Sequence, residues 1–255
     1  MNGTVTYTAR DDAVGVITLN RPDTKNAINL ALAEDLVDAY RRLDRDASIA
    51  VGVLTGAGGS FCAGLDLTAV LSGEIDPSAS TALAELFDAA PSKPLIAAVE
   101  GFALGGGFEL LLNADLIVAS TTARFGLPEV KLGLIAAGGA LLRLGHRIPY
   151  HRAMDLALTG RQVRATELSE LGLVSTITEA GEALQAAVEQ AAAIAENAPL
   201  SLAATKRILR ATSAASEADA RRVQAVLTPN IFSSTDAIEG AMAFAERRQP
   251  QWKGV

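Results

Sequence analysis

Residues 94–119 hold the pattern that decides the fold. Pro94-Leu-Ile-Ala-Ala-Val99 is a short apolar run, Gly105 to Asn113 reads as a helix that starts inside a glycine cluster, and Asp115-Leu-Ile-Val-Ala119 is a second apolar run bounded by turn signals. A strand, a helix and a strand in so short a space predict an α/β unit. Upstream, Val14-Gly-Val-Ile-Thr-Leu19 and Ala50-Val-Gly-Val-Leu54 read as strands. Between them Leu32, Ala33, Leu36, Val37, Tyr40 and Leu43 recur at three and four residues, the stripe of an amphipathic helix. Leu173-Val-Ser-Thr-Ile177 reads as a late strand. After Gly181 the alternation stops: Leu184, Ala187, Val188, Ala191 and Ala195 form one helical stripe, and residues from about 196 onward are helical throughout. The expected division is an α/β core over 1–195 and a helical module over 196–255.

Composition narrows the function classes. Of 255 residues, 49% are hydrophobic and 20% charged, which suits a globular chain with a large core. Aromatics are only 4%, so alanine and aliphatic residues must fill that core. A net charge of −7 argues against binding along a nucleic-acid backbone, although one local cationic pocket for a phosphorylated small molecule is compatible with it. One cysteine, Cys62, excludes an internal disulfide and a CxxC metal site, and two histidines, His146 and His151, leave little for a metal centre. The uncharged stretch Ala47–Leu65 is broken by five glycines and reads as a buried strand and turn, not a membrane span. The start of the chain has no signal-peptide pattern, so a reducing cytoplasm is the expected setting.

Three glycine-containing segments could carry chemistry. Thr55-Gly-Ala-Gly-Gly-Ser-Phe-Cys-Ala-Gly-Leu-Asp66 fails the dinucleotide spacing, and Gly101-Phe-Ala-Leu-Gly-Gly-Gly-Phe-Glu109 lacks the Lys-Ser/Thr of a phosphate loop. Each alone is a turn or a close strand–helix contact, as is Phe125-Gly-Leu-Pro-Glu129. Together they offer more. A glycine at a helix start lets a substrate oxygen approach a bare N–H, where the helix dipole favours negative charge. Glu109 and Glu129 lie 20 residues apart, enough for a helix, a strand and a turn to return them to one pocket, where apolar surroundings would raise their pKa values for acid–base work.

These segments resemble the crotonase superfamily, the enoyl-CoA hydratase/isomerase family. The likeness runs in order over nearly the whole chain: Asn20-Arg-Pro22 with Asn26-Ala27, Phe61-Cys-Ala-Gly-Leu-Asp66, Ala98 to Glu109, Ala114-Asp115, Phe125 to Glu129, Leu158-Thr-Gly160, Ala165 to Val174 and Phe244-Ala-Glu-Arg-Arg248. It implies a spiral of ββα units, and a trimer or dimer of trimers formed through the helical module. It also implies roles. The N–H groups of Leu65 and Gly106 would form an oxyanion hole for a thioester carbonyl, Glu109 would activate water, and Glu129 would protonate the α-carbon. Ala27 and Ala63 would hold the adenine of coenzyme A by their backbones, Lys25 and Arg247 would meet its phosphates, the latter from a neighbouring subunit, and Asp66 and Phe244 complete the CoA-binding set. Coenzyme A is part of the substrate, and no metal or separate cofactor is implied.

Both glutamates favour hydration of a 2-enoyl-CoA. Isomerisation, or dehydration of a specialised acyl-CoA such as carnitinyl-CoA, is the alternative on the same fold, and non-catalytic acyl-CoA binding is a second. A serine peptidase on a related spiral has no support, because Ser60 lacks a G-x-S-x-G context. The segment Gly133 to Arg143 departs from short-chain hydratases: Ala136, Ala140, Leu141 and Leu142 stand where a Pro and Thr-Gln-Arg are common, which bears on acyl preference. Phe108 is a candidate for shaping the pocket. Cys62 reads as a small buried hydrophobe, the histidines as solvated and Trp252 as a packing anchor.

Overall fold

The computed structural model describes residues 3–76, 80–214 and 217–255. Along the chain run β1 (Val5–Ala9), β2 (Val14–Leu19), α1 (Leu30–Arg45), β3 (Val51–Gly56), α2 (Leu67–Leu71), α3 (Thr81–Asp88), β4 (Leu95–Val99), β5 (Phe102–Leu104), α4 (Gly106–Leu111), β6 (Leu116–Ser120) and β7 (Arg124–Gly126). They are followed by α5 (Ala140–Arg147), α6 (Tyr150–Thr159), β8 (Val163–Arg164), α7 (Ala165–Glu170), β9 (Thr176–Thr178), α8 (Ala183–Ala195), α9 (Pro199–Ala214), α10 (Glu217–Phe232) and α11 (Thr235–Glu246). None of the described helices is long and apolar enough to cross a membrane.

The main sheet has the order β1-β2-β3-β4-β6-β9, parallel except for the β1–β2 pair. Its inner strands are buried on both faces, which explains their continuous apolar runs. Ile17, Leu19, Leu54 and Ala97 face α1, whose Leu32, Leu36 and Leu43 are fully buried. Full burial of each such leucine contributes roughly 2 kcal/mol. Asn29 starts that helix by accepting the Leu32 N–H at 3.0 Å. On the other face Val51, Val53, Ile96 and Val118 meet Ala183, Ala187, Val188 and Ala191 of α8. Small alanines let that helix lie close to the strands, so α8 packs as part of the core.

A second, shorter layer positions the site. After β2, β3, β4 and β6 the chain bends into a rung of this layer before it enters a helix or helical turn. Ile28 bridges Leu65, Cys62 bridges Ala103, β5 pairs in parallel with β7, and β7 pairs antiparallel with β8. The repeat is thus strand, rung, helix: the expected ββα spiral. The rungs are too short for sequence periodicity to reveal. The polar edge strand β1 escapes it as well. β9 is shorter than the sequence suggests, because Leu173 and Val174 turn back to donate to the Leu168 carbonyl at 2.9 and 3.3 Å.

Two glycines fix the rung geometry. Gly105 caps α4 with φ 51° and ψ −125°, a backbone state a side chain resists. Gly107 lies so near the previous rung that a Cβ there would stand 2.3 Å from the Cys62 carbonyl oxygen. Below them Asn26, fully buried, donates to the carbonyls of Ala57 (2.9 Å) and Ser60 (2.7 Å) and accepts the Arg21 N–H at 2.9 Å. One side chain so joins the first two rungs.

Candidate active site

Two backbone amides meet at the ends of consecutive rungs. In the Ile28–Leu65 bridge, Ile28 N donates to Gly64 O at 2.7 Å and Asp66 N donates to Ile28 O at 2.9 Å. Alternation along an extended chain turns the intervening Leu65 N–H the other way. Gly106 is the first residue of α4, where helix N–H groups have no internal acceptor. Neither amide has a hydrogen-bond acceptor among the described residues. They are neighbours: a Cβ on Gly106 would lie 3.7 Å from Leu65 N, and one on Gly64 would lie 3.5 Å from Gly106 N. Such a pair can receive one oxygen that gains negative charge.

Two carboxyls stand beside it. Glu109 follows Gly106 within the first turn of α4 and is only 4% exposed. Its Oε1 accepts the Ala140 N–H at 3.1 Å, and its Oε2 lies 2.7 Å from the place a Cβ on Gly138 would take. Burial pushes this carboxyl up to about 7. The Ala140 amide works against that rise, the Glu129 charge adds to it, and the Gly138 amide and Arg143 oppose it. Glu129 sits in the helical turn Pro128–Leu132 that follows β7. The Leu104–Gly126 register and the Gly105 N–H···O bond to Gly126 (2.9 Å) carry it to the start of α4. There its Oε1 lies 3.2 Å from the Cβ position of Gly105. Burial raises this carboxyl too, and its Oε2 is buried with no partner among the described residues. A buried oxygen left open calls for a ligand or water. With both carboxyls raised by burial, one can hold a proton to donate while the other accepts one.

The walls were less legible in the sequence. Phe87, near the end of α3, is 6% exposed, and its ring stands 3.2 Å from the Cβ position of Gly106 and 2.6 Å from that of Gly138. Only its 83/86/87 spacing with Leu83 and Leu86 marks it, and that spacing signals burial, not a site. The segment 136–140, where the sequence departs from short-chain hydratases, supplies the amides that hold Glu109. Phe108 does not shape the pocket: it is fully buried and packs edge-on against Phe125, 5.9 Å between centroids, because its neighbour Glu109 takes the pocket side of the helix.

Four of the six expected CoA-binding residues share one region. Lys25 is exposed, with its Nζ 4.7 Å from the Phe102 ring centroid. Ala63 N donates to Lys25 O at 3.0 Å, and Ala27 O accepts the Arg21 guanidinium. Asp66 caps α2 and pairs with Arg21 at 3.0 Å, so it braces this region instead of offering a free carboxylate. Arg247 is exposed just past α11, and no described hydrogen bond or ion pair joins it to these four. Phe244 lies on α11, and its side chain falls outside the described residues. Cys62 is fully buried, its thiol pushed up to about 12 by that burial. Both histidines are exposed, and Trp252 anchors the tail by donating to Glu196 O at 2.6 Å.

Comparison with known proteins agrees with this geometry. Residues 9–255 match the enoyl-CoA hydratase/isomerase family. The chain is 41% identical to the enoyl-CoA hydratase EchA19 of Mycobacterium tuberculosis, over 93% of this chain and 92% of that protein. It is 40% identical to the carnitinyl-CoA dehydratase of Proteus mirabilis, over the full length of both. A solved enoyl-CoA hydratase from M. tuberculosis superposes with a TM-score of 0.92 at 49% identity, covering 99% of this chain and all of that one.

Proposed function

Because the chain belongs to the enoyl-CoA hydratase/isomerase family, we propose that its pocket hydrates 2-enoyl-CoA thioesters reversibly, with syn addition of water to give a 3-hydroxyacyl-CoA. One observation carries the reading: two adjacent amides without acceptors among the described residues lie beside two buried carboxyls of raised pKa. In this mechanism the thioester oxygen accepts the Leu65 and Gly106 N–H groups. Their pull makes C3 electron-poor. Glu109, held by the Ala140 amide, takes a proton from water as its oxygen bonds to C3, and charge moves through C2 to the thioester oxygen. Collapse of that enolate returns the electrons to C2, which takes a proton from Glu129. The proton gained at Glu109 equals the one lost at Glu129, so the pair returns to its starting charge. One such oxyanion donor typically supplies about 3 kcal/mol of transition-state stabilisation.

Coenzyme A enters as part of the substrate, and the reaction calls for no separate cofactor. Lys25 and the backbones of Ala27 and Ala63 take the nucleotide end, with Arg247 supplied by a neighbouring subunit of a trimer or dimer of trimers. Support for assembly comes from Leu209, Val226, Phe232, Ile238 and Met242, apolar residues of α9–α11 that this chain leaves exposed.

The likeness to carnitinyl-CoA dehydratase favours a second reading, the reverse reaction on a specialised 3-hydroxyacyl-CoA. The test is a turnover panel. Loss of enoyl absorbance with crotonyl-CoA supports hydration. Action confined to a 3-enoyl-CoA supports isomerisation, action confined to carnitinyl-CoA supports the specialised dehydratase, and binding without turnover on any of them removes the catalytic reading.

A further inference from the structure

Arg143, on α5, has a side chain only a quarter exposed, yet it makes no close ion pair: the nearest described carboxylate, on the exposed Asp88, is 3.9 Å away. It donates instead to two backbone carbonyls, Phe87 O at 2.9 Å and Gly138 O at 3.2 Å. Burying a guanidinium is costly, and two neutral carbonyls return less than a carboxylate would. What those carbonyls belong to gives the arrangement its meaning. Phe87 carries the ring that packs on Gly106, one of the two amides of the oxyanion pair. Gly138 opens the segment whose amides hold Glu109. The two walls come from α3 and from the loop before α5, and Arg143 joins them. The planar fork reaches both at once, which a lysine cannot do.

We propose that Arg143 is a positioning residue for the hydration: by pinning the Phe87 and Gly138 carbonyls it holds the amide cradle of Glu109 in register with the Leu65 and Gly106 amides. Its kinetic consequences rest on the hydratase reading, whereas its effect on Glu109 does not. The charges facing Glu109 are Glu129, from the turn after β7, and Arg143 itself; Asp88 from α3 and Arg210 from α9 face the guanidinium. Removing Arg143 takes away a positive charge and frees the amides that favour the carboxylate. Both changes move the Glu109 titration upward from about 7.

The test compares wild type, Arg143→Lys and Arg143→Ala. Hydration kinetics are measured with a 2-enoyl-CoA, and carboxyl titration by NMR of glutamate-labelled protein, with Glu109 assigned through Glu109→Gln. For Arg143→Ala, kcat falls roughly 10- to 100-fold, as misplacement of reacting groups predicts, while KM stays within about threefold. The Glu109 titration and the limb of the pH profile it governs both rise, Arg143→Lys falls between, and low-millimolar guanidinium restores part of the Arg143→Ala rate. A kcat within about twofold of wild type with an unmoved Glu109 titration overturns the proposal, even if the variant melts at a lower temperature. If Arg143→Ala does not fold, the same criteria apply to Arg143→Lys. If the wild type turns over no enoyl-CoA, the hydratase reading fails, and the Glu109 titration alone then decides the role of Arg143.

Discussion

The α/β spiral and the C-terminal helices bury themselves in different ways. In the spiral, α1 alone sinks seven apolar or aromatic residues against the sheet, and α8 sinks four. Across the described residues of α9–α11, Ala204 and Ala243 are the buried apolar ones. Beside the partly buried Leu202, polar links hold these helices. Lys206 Nζ, 8% exposed as a residue, meets Asp115 Oδ2 at 2.7 Å and Lys93 O at 2.8 Å. Asp236 accepts the Lys253 and Gly254 N–H groups at 2.7 and 2.9 Å. A sheet-backed core is complete within one chain, whereas a helical layer pinned by polar contacts leaves apolar faces for another surface. The two raised carboxyls and the two open amides sit with the first kind of packing, and the proposed assembly contacts sit with the second.

If that division is right, spiral variants stop turnover without disturbing assembly. The largest effect is expected for Gly106→Val. Its first side-chain carbon would already stand 3.2 Å from Ile28 Cδ1 and Phe87 Cζ, so the branch must fill the space of the thioester oxygen. Turnover should vanish while circular dichroism and particle mass persist, and measurable hydration by a folded variant would break the assignment of this amide.

Next come the carboxyls. Glu109→Gln and Glu129→Gln should each slow hydration at least about a hundredfold. Glu109→Gln also carries a stability signature. The folded pKa of about 7 exceeds the unfolded reference of 4.5, so the wild type is fully stable, as far as this group goes, below about 4.5 and loses stability as pH rises to about 7. Above that pH the loss amounts to about 3 kcal/mol. Denaturant unfolding should therefore find Glu109→Gln more stable than wild type at pH 8 and equal to it near pH 4. A variant less stable at pH 8 would show that Glu109 supports the fold.

Variants of the helical region should do the reverse. Lys206→Met breaks the main buried link between α9 and the spiral. Because Asp115 is partly exposed and keeps the Leu95 N–H at 2.8 Å, the expected cost is about 2 kcal/mol, below that of a fully buried pair. Turnover at saturation in the folded fraction should stay near wild type. Arg247→Ala should show the smallest effect: a severalfold rise in KM for the CoA ester with kcat little changed, as loss of uniform binding requires. An unchanged KM would remove Arg247 from the CoA site, and a large fall in kcat would blur the contrast between the two regions.

Elements whose own residues carry a strong period were legible before any coordinates. The α1 stripe, the runs at 14–19 and 94–99 and the glycine-to-helix junction at 105–106 all became the elements expected, because local burial demands their pattern. The resemblance named both glutamates and both amides in advance. Phe87 and Arg143 were not legible, since a buried phenylalanine on a helix and an arginine in a basic stretch have the same sequence signature whether or not a pocket lies beside them.

By itself the sequence determined an α/β core followed by helices, an acidic chain without an internal disulfide, and which two glutamates follow which glycines; the spiral came from the family resemblance. Those properties follow from composition, period and motif, each readable within a few neighbouring residues. Only the tertiary structure decided that Glu109 is pushed up to about 7 and that Glu129 keeps an open oxygen. The same holds for the placement of Phe108 in the core and Phe87 at the site, and for the link Arg143 makes between two walls. Burial and hydrogen bonding depend on which distant segments fill the space around a group, and rungs of three residues or fewer bring those segments together without leaving a period in the chain.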